Sequence, residues 1–173
     1  MISSADLLKI TTLIFDIDGT LTDGRISWDS SGGTVKFFNM QDLHWMKLAL
    51  RAGLRVGVLS GRADAANRKM AAELQLTFAV LDAKDKLAAF ENLLQEYTLV
   101  PEECLYAGDD VVDMPVLRRA GVGIAVAGAV PELDEVCDYR TRACGGCGAA
   151  AEIIRDVLKT KGLYDKIMER YRR

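Results

Sequence analysis

Thr12-Leu13-Ile14-Phe15-Asp16-Ile17-Asp18-Gly19-Thr20-Leu21-Thr22 is the stretch that decides the reading of this chain. The run up to Phe15 has the length and apolarity of a strand buried on both faces, and two carboxylates one residue apart follow where that strand ends. In an open α/β sheet, ligands gather at the carboxyl ends of the strands. Gly19-Thr20 can turn backbone N–H groups toward an anion there. Two acids this close need a counter-charge. A divalent cation is the expected one, and Asp oxygens suit Mg²⁺, which takes few protein carboxylates and keeps water or substrate phosphate as its other ligands. An acidic turn capping a helix would explain Asp-x-Asp alone; it does not explain the whole octet from Phe15 to Thr22.

Outward from this stretch, short apolar runs alternate with segments of helical period. Residues 55–59, 77–81, 104–107 and 123–126 read as further buried strands, with 139–141 a weaker edge strand. Leu43, Met46 and Leu50 share a helix face before Gly53. Ala66, Met70 and Leu74 share another, as do Leu87, Phe90, Leu94 and Tyr97, and Ile153, Ile154, Val157 and Leu158 mark the last clear helix. The pattern predicts an α/β fold: a doubly wound, Rossmann-like, mostly parallel sheet in a single domain over residues 1–173. RISW and TVKFF around Asp29-Ser30-Ser31-Gly32-Gly33 predict a β-hairpin inserted at about 24–39, placed to act as a lid or a subunit contact. No segment is long enough for a cap domain. The basic tail, 159–173, reads as a solvated or subunit-covering helix.

Composition sets limits. Half of the 173 residues are hydrophobic, enough for a core without staples, and the net charge of -3 with scattered Lys and Arg disfavours nucleic acid as a partner. No apolar stretch approaches the ~20 residues of a membrane span, and Met1 to Thr12 lacks the pattern of a secretory leader. The expectation is a soluble, cytoplasmic chain with no membrane partner. Cys104, Cys137, Cys144 and Cys147 are too few and too unevenly placed for a disulfide framework and read as reduced thiols.

Three later segments carry chemistry. Gly108-Asp109-Asp110-Val111-Val112-Asp113 brings a second acidic group to a strand end. Asp109 is the leading metal ligand; Asp110 and Asp113 are candidates either to touch the metal or to orient its ligands from behind, and Asp113 also reads as a first-turn helix acid. Leu59-Ser60-Gly61-Arg62 puts a hydroxyl at the same edge, within reach of a phosphoryl oxygen. Lys86, with Lys84 as its rival, opens the helix after the third strand, and a lysine pairing with both a phosphate and a carboxylate nucleophile is what phosphoryl transfer at an acidic site needs.

In chain order, DIDGT, LSGR, Lys86 and GDDVVD resemble the haloacid dehalogenase superfamily of phosphatases. The resemblance implies that Asp16 is the nucleophile, forming an aspartyl-phosphate, and that Asp18 is the general acid-base and a metal ligand through its carbonyl. It implies that Ser60 and Lys86 hold the phosphoryl group and that Asp16, Asp18 and Asp109 bind Mg²⁺. DGxIxW, a Gly-Gly turn, VKxFN with a nearby Asp, and a late Gly-Gly-x-Gly are similar to the 3-deoxy-D-manno-octulosonate 8-phosphate phosphatase family. That likeness implies a small sugar phosphate substrate, a homotetramer whose neighbours complete each active site, and a place in bacterial lipopolysaccharide synthesis. By the same analogy Thr20, Gly61, Arg62, Asn39, Asp42, Arg68 and Lys69 face the substrate.

The chain departs from the family at Leu43-His44-Trp45, where glycines are usual, and at Cys147, where a basic residue is common. A nine-carbon sialic-type sugar acid phosphate is therefore the alternative substrate. Cys144-Gly145-Gly146-Cys147 reads as a glycine-rich turn, since a zinc site would want a second ligand pair, and the single histidine, His44, reads as a helix or interface residue. A phospho-accepting receiver domain uses similar groups, but its hydroxyl residue should follow the phosphorylated Asp, and here Ser60 precedes Asp82.

Overall fold

The apolar runs form strands where their sequence places them. These are β1 (Thr12–Phe15), a hairpin of β2 (Ser27–Trp28) and β3 (Thr34–Val35), then β4 (Arg55–Leu59), β5 (Phe78–Val80), β6 (Cys104–Gly108), β7 (Val122–Ala125) and β8 (Tyr139–Arg140). The computed structural model describes residues 3–173; Met1 and Ile2, where the reading of the amino terminus begins, lie outside the described residues. Apart from the hairpin the strands pair in parallel in the order β5-β4-β1-β6-β7-β8. Numbered within the sheet, that order is 3-2-1-4-5-6, the doubly wound arrangement, whereas receiver domains use 2-1-3-4-5. Topology therefore counts against the receiver reading independently of motif order. The order reverses between β1 and β6, so the switch-point crevice opens between Asp16 and Asp109.

Helices cover both faces: α1 (Ser4–Lys9), α2 (Met40–Arg51), α3 (Ala65–Leu74), α4 (Lys86–Glu96), α5 (Met114–Arg119), α6 (Ala149–Thr160) and α7 (Tyr164–Met168). Strand β1 is buried on both sides because its side chains alternate between two cores. Leu13 and Phe15 pack with Met46 of α2 and Ile154 of α6, while Ile14 packs with Phe90 of α4 and Val116 of α5. Asn39, Asp64 and Asp85 cap α2, α3 and α4 by accepting from the amides of Gln41, Asn67 and Ala88. Among the described residues no separate cap stands over the sheet. Among the described residues no helix is long and apolar enough to cross a membrane.

The tail differs from its expected form. Helix α6 ends at Thr160, and Gly162, at φ +67°, turns the chain so that α7 folds back and Tyr164 stacks on Trp45 with ring centroids 6.0 Å apart. Leu163, Tyr164, Ile167 and Met168 pack against the core, so this segment is not a freely solvated helix. The hairpin is also shorter than its flanking sequence indicates, pairing only Ser27 with Val35 and Trp28 with Thr34.

Candidate active site

Asp16 continues β1 by one residue, its amide donating to the Ala107 carbonyl at 2.9 Å, and it is 4% exposed. Lys86, the first residue of α4, is buried beside it. Its Nζ lies 2.8 Å from Asp16 Oδ1 and 2.6 Å from Asp113 Oδ1. Burial works against the charge on Lys86, but Asp16 and Asp113 outweigh it and raise its pKa above the ordinary lysine value. Lys84, the rival, points to the rim and donates to the Gly61 carbonyl.

Asp16, Asp109 and Asp113 each bring a carboxylate oxygen within 4.8 Å of the others. Asp113 is wholly enclosed and fully used. Oδ1 accepts from Lys86 and the Tyr106 hydroxyl, and Oδ2 accepts from the amides of Asp109 and Asp110 at 3.0 and 3.2 Å. Asp113 thus orients the site from behind, and Asp110 caps the turn that follows by accepting from Val111. Asp109 reaches the Asp16 loop because Gly19, at φ +94°, has no Cβ; one there would collide with the Asp109 carboxylate.

These acids are short of positive charge. Burial drives Asp16 up to about 8 even though Lys86 pulls it down, and burial together with the Asp113 charge drives Asp109 to about 6. A cluster of carboxylates that resists ionisation, with one ammonium among them, has the donor set that fits a hard divalent cation.

Asp16, Asp18, Ser60, Gly61, Arg62, Lys86 and Asp110 line one open cleft of about 490 Å³, together with Lys84 and Val112. Seven of the sequence-predicted residues, Asp110 among them, therefore come together. Thr20 does not line it. Thr20 is fully buried, its hydroxyl donating to Asp109 Oδ1 at 3.2 Å and its amide to Ile17, so it orients Asp109 instead of touching substrate.

Asp42 is also corrected. It is 0% exposed and accepts from the amides of Gly148 and Ala151 at 3.0 and 2.7 Å, capping α6 from a different helix. Asn39 is spent on its own cap and on the Gly146 carbonyl. Arg68 and Lys69 lie on the outward face of α3, away from the cleft, because it is Asn67 and Met70 that turn inward. Sequence reasoning missed Lys36, Asp64, Asn67 and Tyr106, which surround or support Asp18, Lys86 and Asp113. The alternation Val35-Lys36-Phe37 was the available signal: on an extended ribbon it turns the lysine away from two apolar neighbours.

A doubly wound sheet with an aspartate pair at the switch point, a buried lysine and a second acidic loop defines a haloacid dehalogenase-type hydrolase. A family model described as haloacid dehalogenase-like hydrolase matches residues 80–145. The 3-deoxy-D-manno-octulosonate 8-phosphate phosphatase KdsC of Escherichia coli K12 is 36% identical over 167 residues, covering 94% of this chain and 89% of that one. The Moraxella catarrhalis enzyme of the same name, solved with magnesium, phosphate and KDO, superposes with a TM-score of 0.94 at 30% identity, covering 97% of each chain. The Yersinia pestis enzyme gives 0.91 at 31%, covering 94% of this chain and 88% of that one. The chain belongs to the 3-deoxy-D-manno-octulosonate 8-phosphate phosphatase family.

Proposed function

We propose that the chain is a Mg²⁺-dependent phosphatase that converts 3-deoxy-D-manno-octulosonate 8-phosphate into 3-deoxy-D-manno-octulosonate and inorganic phosphate. The observation that carries this reading is the buried Asp16–Lys86 pair facing Asp109 across the switch point, on a scaffold shared with an enzyme that holds magnesium, phosphate and KDO.

Asp16 attacks phosphorus, its carboxylate forming a bond as the bond from phosphorus to the sugar oxygen breaks. Asp18 gives a proton to the departing oxygen, then takes one from the water that attacks the aspartyl-phosphate and releases phosphate. Lys86 and Ser60 hold phosphoryl oxygens, and the Gly61 backbone and Arg62 line the leaving-group side. Asp16, Asp109 and the Asp18 carbonyl are the residues that hold Mg²⁺. When bound, the cation offsets the charge of the phosphoryl group and the carboxylates.

Arg62, half-exposed at the rim, suits a sugar carboxylate. Phosphate release from the eight-carbon 8-phosphate should exceed that from a nine-carbon sugar acid 9-phosphate by at least about tenfold in kcat/KM. Equal values would replace the substrate assignment with a broader one, and equal turnover of simple aryl phosphates would overturn it.

The working form is a homotetramer in the cytosol. Trp28, Phe37 and Met40 are 67%, 74% and 75% exposed on and beside the hairpin, an apolar row that a neighbouring copy would cover. The four free thiols fit a reducing compartment. Light scattering of Phe37→Asp should read a smaller particle than the parent chain; a monomeric parent would refute the tetramer.

A further inference from the structure

Lys36 follows β3, and its side chain is 0% exposed while Val35 and Phe37 on either side face outward. An ammonium carries three N–H donors, and three oxygens surround this one. Nζ lies 2.6 Å from Asp18 Oδ1 and 2.6 Å from Asp64 Oδ2, and it donates to Asn67 Oδ1 at 3.0 Å. The two carboxylate contacts are close ion pairs, not aligned hydrogen bonds, and neither oxygen has a hydrogen-bond partner of its own. Wholly enclosed among these oxygens, the ammonium is not open to a phosphate in the cleft.

Its seat is rigid. Asp64 uses its other oxygen to cap α3 by accepting from Asn67, and Asn67 donates to the Arg62 carbonyl at 3.3 Å. Asp18 Oδ1 is therefore pinned inside the protein, leaving Oδ2 toward the cleft and 3.9 Å from Arg62 Nε. A buried ammonium is costly and persists only where such partners compensate it. Here the compensation fixes the rotation of one catalytic side chain.

We propose that Lys36 is a positioning residue for acid-base catalysis: it anchors Oδ1 of Asp18 to the start of α3 so that Oδ2 meets the oxygen of the departing sugar. This rests on the reading of Asp18 as the acid-base. As the Asp16–phosphorus bond forms and the bond from phosphorus to the sugar oxygen breaks, the proton passes from Asp18 Oδ2 to that oxygen. It is restored from the attacking water, and Lys36 gains and loses none.

A lysine that merely ties the hairpin down would affect all substrates alike, so the test varies the leaving group. A sugar alkoxide needs a proton to depart, and 4-nitrophenolate does not. In Lys36→Met, kcat/KM should fall by about 100-fold on the sugar phosphate and by less than about fivefold on 4-nitrophenyl phosphate. Equal losses, or none, would overturn the proposal. Asp18→Asn in the same assay separates the two levels. If it lacks leaving-group selectivity, the acid-base reading itself fails and takes the proposal with it; if it has selectivity that Lys36→Met lacks, only the positioning role fails. Should Lys36→Met not fold, Asp64→Asn keeps an oxygen for the ammonium and should reproduce the selectivity at about tenfold; a uniform loss there would refute the proposal.

Discussion

Asp16→Asn should lower phosphate release by at least about 10⁴-fold, because it removes the nucleophile while keeping the size of the side chain and leaving Asp113 as the carboxylate partner of Lys86. The same substitution should make the metal-free protein harder to melt at alkaline pH. Burial raises the folded-state pKa of Asp16 from 3.8 to about 8. A group raised on folding contributes stability that is fully present below its unfolded pKa and is lost as pH climbs through the folded value. The parent chain, freed of metal, should therefore lose melting temperature between about pH 4 and pH 8, whereas an asparagine, always neutral, escapes that loss. Mg²⁺ should reverse the ranking by stabilising the ionised parent and doing less for the variant. Scanning calorimetry at acid and alkaline pH, with EDTA or Mg²⁺, reads all four conditions. An Asp16→Asn protein that still turns over substrate would remove Asp16 from the mechanism, and one that melts below the metal-free parent at alkaline pH would show that the buried charge is not a burden.

What the sequence made legible follows from where the chemistry sits. Asp16, Ser60, Lys86 and Asp109 all lie at strand ends or first helical turns, where an apolar run announces the boundary and the next residues are displayed at one edge. Residues that act from elsewhere were opaque. Lys36 sits between two apolar residues of a short hairpin, where alternation shows that it faces the other way but only the fold reveals the two carboxylates it meets there. Asp42 looked like a substrate ligand because it follows the VKxFN segment. Yet α6 follows Gly148, which has no side chain to cap it, and the missing acceptor comes from a helix 106 residues earlier in the chain. Local capping is readable from neighbours in sequence, whereas capping between helices depends on how α2 packs on α6. Arg68 and Lys69 failed for a simpler reason: one step along a helix turns a side chain by about 100°, so placing charges near a site does not place them in it.

Asp113→Ala should be the most damaging single change to stability near the site. All of the groups that meet this carboxylate are donors: the Lys86 ammonium, the Tyr106 hydroxyl and the amides of Asp109 and Asp110. Alanine leaves them enclosed without an acceptor and leaves Lys86 with Asp16 as its one remaining carboxylate. Breaking a buried pair in this way costs about 3–5 kcal/mol, which lowers the melting temperature of a chain this size by roughly 10 °C. Asparagine is the more telling variant, since it fills the same space but carries a donor of its own. Whichever way its amide is turned, the NH₂ group must face either the lysine and tyrosine or the pair of backbone amides. Asp113→Asn should therefore still lose about 1–3 kcal/mol, and activity should fall in both variants because Lys86 and the Asp109 loop lose their common anchor. Thermal melts alongside kcat at a temperature where all three proteins are folded check this. A melt of Asp113→Asn that matches the parent would mean the carboxylate is interchangeable with a neutral acceptor, and the site would then owe its geometry to packing instead of charge.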